Sequence, residues 1–194
     1  MARKKPQKKS KQSNILRIIG GNWRSRKLKI VDAEGMRPTP DRVRETLFNW
    51  LQNDIYGARC LDLFAGSGAL GLEALSRGAG EVVFIEKNKA VANQLTQNLA
   101  VLKSTANVIQ NNALDYLASQ SNTPFDIIFL DPPYRKDLLT SSLSLLKDNS
   151  LVKPQTLIYL EHESEQDYDW GKWGMLAVKE LSAGQVKSHL LRMI

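Results

Sequence analysis

The sequence contains one cysteine, Cys60, in 194 residues. That excludes an internal disulfide and leaves no thiolate cluster for zinc. Histidine is nearly as scarce. With only His162 and His189, any metal site would rest on carboxylates, and no metal is expected. All three residues fall in strand-like segments, where a structural role is the expectation. No apolar run approaches the roughly 18 residues that a membrane-spanning helix needs. The lysine-rich start has no apolar segment behind it, so it does not read as a secretory signal. A cytoplasmic monomer with no membrane partner is expected.

What is present is ordinary in amount: 42% hydrophobic and 24% charged residues, enough for one domain with a proper core. The charge is not ordinary in its distribution. Of the formal +7, residues 1–14 carry +6, with Arg3, Lys4, Lys5, Lys8, Lys9 and Lys11 and no acid. Residues 15–44 add +5, eight Lys and Arg against Asp32, Glu34 and Asp41, so 45–194 is left at −4. A neutral-to-acidic body with a basic N-terminal quarter suggests a polyanion gripped from one side. The plain alternative is a solvated charge run, and for the tail the two readings are balanced. The charges of 15–44 are spaced through patterned sequence, which favours a partner.

Residues 1–13 lack large apolar side chains and are expected to be disordered when free. Segments 15–19 and 27–31 then read as two strands around Gly20-Gly21-Asn22-Trp23-Arg24-Ser25-Arg26, the second alternating basic and apolar residues. Thr39-Pro40-Asp41 reads as a helix start, with Thr39 as N-cap and Pro40 as the first helical residue. From residue 58, strand patterns at 60–64, 82–85, 127–130 and 157–160, with a weaker one at 107–110, alternate with helical patterns at 69–77, 89–102, 113–119 and 138–146. That alternation predicts a doubly wound parallel sheet with right-handed crossovers. Segments 176–182 and 187–194 close the chain as an antiparallel hairpin. The expected division is a basic tail 1–14, a hairpin and linker 15–44 that contacts RNA, and a catalytic domain 45–194.

Four stretches carry chemistry. Leu61-Asp62-Leu63-Phe64-Ala65-Gly66-Ser67-Gly68 leaves a strand, makes a small-residue turn and enters a helix, so the backbone can approach a ligand closely. The spacing Gly66-x-Gly68-x-x-Gly71 is shared with dinucleotide-binding proteins and decides nothing alone. An acid inside the strand end, placed to reach an amino-acid moiety, and the absence of a second nucleotide-binding half argue against a dinucleotide. No Gly-Lys-Ser/Thr follows, so the P-loop reading fails. Glu86, at the end of the next strand and followed by Lys87, can accept from both ribose hydroxyls, though a solvated strand-end glutamate would look the same alone. Asn112-Ala113 can pair with an adenine edge, or Asn112 can simply cap a helix.

The fourth stretch is Asp131-Pro132-Pro133-Tyr134, directly after an apolar strand. Two prolines there force a sharp turn at the carboxyl edge of the sheet. The exocyclic amine of a base is a poor nucleophile because its lone pair is delocalised into the ring. The Asp131 carboxylate and the Pro132 carbonyl, as two acceptors, can bias it toward sp3 and aim it at a sulfonium methyl, with Tyr134 stacked on a flipped-out base. A plain Asp-Pro turn with a surface tyrosine is the alternative, and the order after the glycine turn argues against it.

These motifs, in this order, resemble the amino-methyltransferases that use S-adenosylmethionine (SAM). Arg17-Ile18-Ile19-Gly20-Gly21-x-Trp23-Arg24 and Arg37-Pro38-Thr39-x-Asp41-Arg42-Val43-Arg44-Glu45-Thr46-Leu47-Phe48 narrow the resemblance to the RsmD family of bacterial 16S ribosomal RNA guanine-N2 methyltransferases. The resemblance covers about residues 15–194. It implies an α/β, Rossmann-like class I SAM-dependent methyltransferase with a seven-stranded, mostly parallel sheet, an antiparallel C-terminal hairpin and a small N-terminal β-hairpin extension. It also implies a target guanine in 16S rRNA, met within the small ribosomal subunit or an assembly intermediate. Pro40 stands where the family often has another residue.

The candidate catalytic residues are Asp131, Pro132 and Tyr134. The candidate cofactor residues are Asp62, Phe64, Ala65, Gly66, Ser67, Gly68, Glu86, Lys87, Asn112, Ala113 and Asp131. Arg17, Trp23, Arg24, Arg26, Arg37 and Arg42 are the candidate RNA contacts, with Arg24 and Arg26 aimed at phosphate. Arg37, Thr39 and Arg42 could face either SAM or RNA. A DNA adenine-N6 or cytosine-N4 methyltransferase is the rival enzyme, and 194 residues leave little room for the duplex-reading region it would need. A non-catalytic RNA-binding assembly factor on the same scaffold, or a protein-amine methyltransferase, are further readings. The intact Asp131 and glycine turn oppose the first, and the basic quarter opposes the second.

Overall fold

The computed structural model describes residues 15–31, 39–120, 123–133 and 138–194. The expected tail 1–14, Arg37 and Tyr134 lie outside the described residues. Strands β1 (Ile15–Arg17) and β2 (Lys27–Lys29) pair antiparallel, with Leu16 opposite Leu28. Both leucines are buried while their neighbours are exposed, the alternation a half-exposed strand requires. The strands are shorter than their apolar runs, because at the start of the turn the Ile18 amide donates to the Arg26 carbonyl while the Ile18 carbonyl accepts from the Ser25 amide. A 3-10 turn over Gly21–Trp23 connects them. Gly21 sits at φ +72°, where a Cβ would come within 1.8 Å of the Ser76 carbonyl oxygen, so only glycine fits.

Helix α1 runs Asp41–Trp50. It starts one residue later than Thr39-Pro40 suggested: the Pro40 carbonyl accepts from the amides of Val43 and Arg44, so Pro40 is the N-cap and Thr39 is buried outside the helix. The alternating part follows: β3 (Arg59–Asp62), α2 (Ala69–Ser76), β4 (Glu81–Ile85), α3 (Lys89–Val101), β5 (Asn107–Ile109), α4 (Ala113–Ser119), β6 (Ile127–Leu130), α5 (Leu138–Asp148) and β7 (Leu157–Glu163). Strands β8 (Met175–Ala183) and β9 (Val186–Met193) form the closing hairpin.

The seven strands lie in the order β5-β4-β3-β6-β7-β9-β8, five parallel and the last two antiparallel to their neighbours. Apolar residues on both faces explain the continuous hydrophobic runs of the parallel strands. One face packs Cys60, Phe84, Phe129 and Tyr159 against α1, α2, α3 and the N-terminal hairpin. The other packs Leu61, Ile128 and Ile158 against α4 and α5. His162 and His189 stack on adjacent strands with their rings 5.1 Å apart. Among the described residues, no helix is long and apolar enough to cross a membrane.

Candidate active site

The strand order reverses between β3 and β6, since the chain builds outward from β3 to β4 and β5 and then returns to β6 and β7. In such sheets the crevice at the carboxyl ends of the strands beside that reversal is where ligands bind. Asp62 ends β3 and Asp131 follows β6, so the two carboxylates flank the switch point.

The glycine turn is held from both sides. The Leu63 amide bonds the Phe129 carbonyl, and the Ala65 amide bonds the Ile85 carbonyl. Gly68 caps α2 in the left-handed region at φ +76°. Gly71 lets α2 lie against β4, because a Cβ there would be 2.2 Å from the Phe84 ring. Glu86 is half-buried, and its Oε2 accepts the Gly66 amide at 2.9 Å while Oε1 accepts the Asn88 amide at 2.7 Å. Each oxygen keeps an acceptor position, so the carboxylate both fixes the turn and can take two vicinal ribose hydroxyls. Such a cradle could take the ribose of a nucleoside. Phe64 packs partly against the face of α4 and α5, and Ser67 is half-buried beside the two turn glycines. Lys87 is exposed at the outer end of that corner.

Asp62 is 4% exposed and spends one oxygen on the Gly71 amide at 2.9 Å. Burial pushes its pKa up to about 7 against the lowering effect of that bond, and the Glu86 charge raises it further. Asn112 caps α4 by accepting from the Leu114 amide at 2.9 Å, and Ala113 is buried as the first helical residue. The capping role is realised, and the side-chain amide N–H groups of Asn112 remain for a ligand edge.

At the β6 corner, Asp131 and Pro132 are half-buried and Pro133 is exposed. Burial raises the Asp131 carboxyl well above the ordinary carboxylate range, and the charges of Glu161 and then Asp62 add to the rise. Glu161 and its support are what the sequence reading missed. Strand β7 continues three residues past Leu160 because β9 keeps pairing with it, Glu161 opposite Ser188. Glu161 is therefore a buried strand residue, and the Tyr159 hydroxyl donates to its Oε1 at 2.5 Å. The signal in the sequence is the alternation Leu157, Tyr159, Glu161 on one face, visible only once the strand is known to run on. Among the described residues, no group of three or more His, Cys, Asp or Glu side chains is placed to hold a metal ion.

The candidate RNA contacts separate. Arg24, Arg26 and Arg42 are exposed. Arg17 is exposed but ion-paired to Asp41 at 2.8 Å. Trp23 packs against the core of the first face, and its amide bonds the Ser76 hydroxyl, so its ring is partly used in docking the hairpin.

Residues 16–192 match the family model described as Conserved hypothetical protein 95. Ribosomal RNA small subunit methyltransferase D of Escherichia coli (strain K12) is 51% identical over 179 residues, spanning 92% of this chain and 90% of its own length. The solved structure of yhhF from Escherichia coli matches with a TM-score of 0.83 at 49% identity, over 92% of this chain and 98% of that chain. A Thermus thermophilus 16S rRNA N2 methyltransferase in complex with AdoMet and guanosine matches with a TM-score of 0.71 at 21% identity, over 93% of this chain and 50% of that one, a likeness of fold alone.

Proposed function

The chain belongs to the conserved hypothetical protein 95 family, the RsmD family, and from that membership we propose that it transfers a methyl group from SAM to the exocyclic N2 of a guanine in small-subunit (16S) ribosomal RNA. It is a ribosomal RNA methyltransferase of the Rossmann-like class I fold. The observation that carries the proposal is the Asp131-Pro132 corner standing across the β3–β6 switch point from the glycine turn that Glu86 braces.

SAM supplies an electrophilic methyl on its sulfonium. The chain's own residues do the rest. Glu86, with Asn112 and the turn amides, holds the nucleoside end, and Asp62 lies where it can meet the methionine end. The Asp131 carboxylate and the Pro132 carbonyl accept the two N2 hydrogens and point the nitrogen lone pair along the transfer axis, an orientation effect. Tyr134 stacks on the base. The N2–methyl bond would form as the sulfonium carbon–sulfur bond breaks, the thioether departing and the surplus N2 proton passing to water afterwards, so Asp131 need not be a strong base. Residues 15–44 are assigned to RNA contact, with Arg24, Arg26, Arg37 and Arg42 as the phosphate-facing set and Arg17 and Trp23 mainly docking the hairpin. The partner is 16S rRNA in the small subunit or its assembly intermediate.

The test is methyl incorporation from labelled SAM into small subunits from a strain lacking this gene, followed by nucleoside analysis. N2-methylguanosine in the rRNA supports the proposal. Label on adenine, cytosine or protein replaces the substrate. Asp131→Ala with near wild-type turnover removes the catalytic assignment.

A further inference from the structure

Glu161 is a carboxylate that the mechanism above leaves unused. It is 8% exposed, and among the described residues it has no cationic partner, only the Tyr159 hydroxyl. Keeping a carboxylate in such a place is unfavourable unless donors arrive to meet it. Its position is fixed by register. Leu130 and Leu160 pair across β6 and β7, so the residues that follow them, Asp131 and Glu161, stand side by side where β6 ends and β7 runs on. By strand alternation Asp131 continues the face of Phe129, and Glu161 continues the face of Tyr159, the same face of the sheet. The orientation of Glu161 is fixed as well. The Tyr159 hydroxyl donates to Oε1, and Ser188 lies opposite Glu161 on β9. That bond engages one carboxylate oxygen and leaves Oε2 for an incoming donor.

Resting on the guanine-N2 reading above, we propose that Glu161 is the residue that selects guanine, its free carboxylate oxygen accepting the base's N1–H while Asp131 and Pro132 hold the neighbouring N2 amine. Guanine presents two donors on adjacent atoms of that edge. Adenine and cytosine place an acceptor nitrogen beside their amine, which would face the carboxylate lone pairs with no proton between them. A site built around a substrate N–H rejects analogues lacking it far more strongly than an apolar pocket rejects a missing methylene. The neighbouring charges also act on each other. Glu161 raises the Asp131 pKa, and donors from guanine favour the ionised form of both.

The discriminating substrate is 2-aminopurine, which keeps the 2-amino group and carries an acceptor at N1. Small subunits reconstituted with guanine or 2-aminopurine at the methylated position are compared by kcat/KM. Wild-type protein is expected to favour guanine by about 100-fold or more. In Glu161→Gln, Tyr159 still donates to the side-chain oxygen, which turns the amide NH2 toward N1. That variant should keep its SAM affinity, lose at least about tenfold on guanine, and show a collapsed or inverted preference. Its acid limb of kcat/KM should move to lower pH, because Asp131 loses a negative neighbour. Tyr159→Phe frees the carboxylate to rotate and should narrow the preference while keeping the charge. Equal rates on the two bases by wild-type protein would overturn the assignment without any variant. So would a Glu161→Gln preference equal to wild type, whatever its absolute rate. Wild-type protein that makes no N2-methylguanosine at all fails differently, removing the substrate reading and this inference with it.

Discussion

The Glu73 carboxylate accepts the Gly20 amide at 2.7 Å, joining the helix behind the glycine turn to the N-terminal hairpin. Its other oxygen accepts the Ile19 amide at 2.9 Å, and Arg77 Nε bonds Oε1 at 2.8 Å. Glu73 is fully buried, with the buried Arg44 Nη1 3.7 Å away. Arg44 in turn bonds the Arg17 carbonyl and Asp41. The hairpin is thus seated by charge-assisted bonds on the same helix that ends the cofactor turn.

Removing that carboxylate leaves the half-buried Ile19 and Gly20 amides and the Arg77 Nε without their acceptor, and the buried Arg44 guanidinium without the buried counter-charge beside it. Glu73→Ala should lose about 3–5 kcal/mol of unfolding free energy, read by urea denaturation. Glu73→Gln, which keeps an acceptor but no charge, should lose less. A Glu73→Ala loss under about 1 kcal/mol would mean that the hairpin is seated by its apolar contacts alone.

Glu86 binds the turn and, in the proposed function, the ribose. Glu86→Ala removes acceptors for two hydroxyls and frees the Gly66 amide, and charged hydrogen bonds contribute about 1.5–3 kcal/mol each. SAM affinity should fall by at least about tenfold by calorimetry. Unchanged affinity would take Glu86 out of the cofactor site.

The parallel core was legible because strands buried on both faces read as apolar runs, and the glycine turn because a strand, small residues and a helix must follow in that order. The hairpin docking was not legible. Glu73 lies in a helical stretch, and nothing local says that its carboxylate meets amides more than fifty residues earlier. Glu161 was hidden for a related reason. An apolar run marks where a strand must be buried, but β7 continues through polar residues because β9 offers it a partner. Thr39 misled because its own preference for capping was overridden by Pro40, whose carbonyl closes the first turn.

Asp62 should make stability depend on pH. Its folded pKa, about 7, lies above the unfolded value, so the folded state holds the extra proton between about pH 4 and 7. Stability therefore falls as pH rises through that window and levels off above it, by up to about 4 kcal/mol. Asp62→Asn, whose amide oxygen can still accept the Gly71 amide, should flatten that slope. Urea midpoints from pH 4 to 8 decide it. Identical slopes for the two proteins would mean that Asp62 is ionised in the fold throughout.

Arg24 and Arg26 are exposed at the end of a hairpin that Glu73 holds rigid, and they have no acid partner among the described residues. A fixed cation is a better phosphate contact than a mobile one, since less side-chain and loop freedom is lost on binding. Their replacement by alanine should raise the KM for small subunits and leave the SAM affinity alone. Each lost phosphate contact should also reduce the slope of log affinity against log salt by about one. Arg17→Ala should behave otherwise. Asp41 already neutralises that guanidinium and holds its pKa above the usual arginine value, so its loss should leave the salt slope nearly unchanged. Equal salt slopes for wild type and the Arg24, Arg26 double variant would move the RNA contact away from this turn, toward Arg42 and the flank of α1.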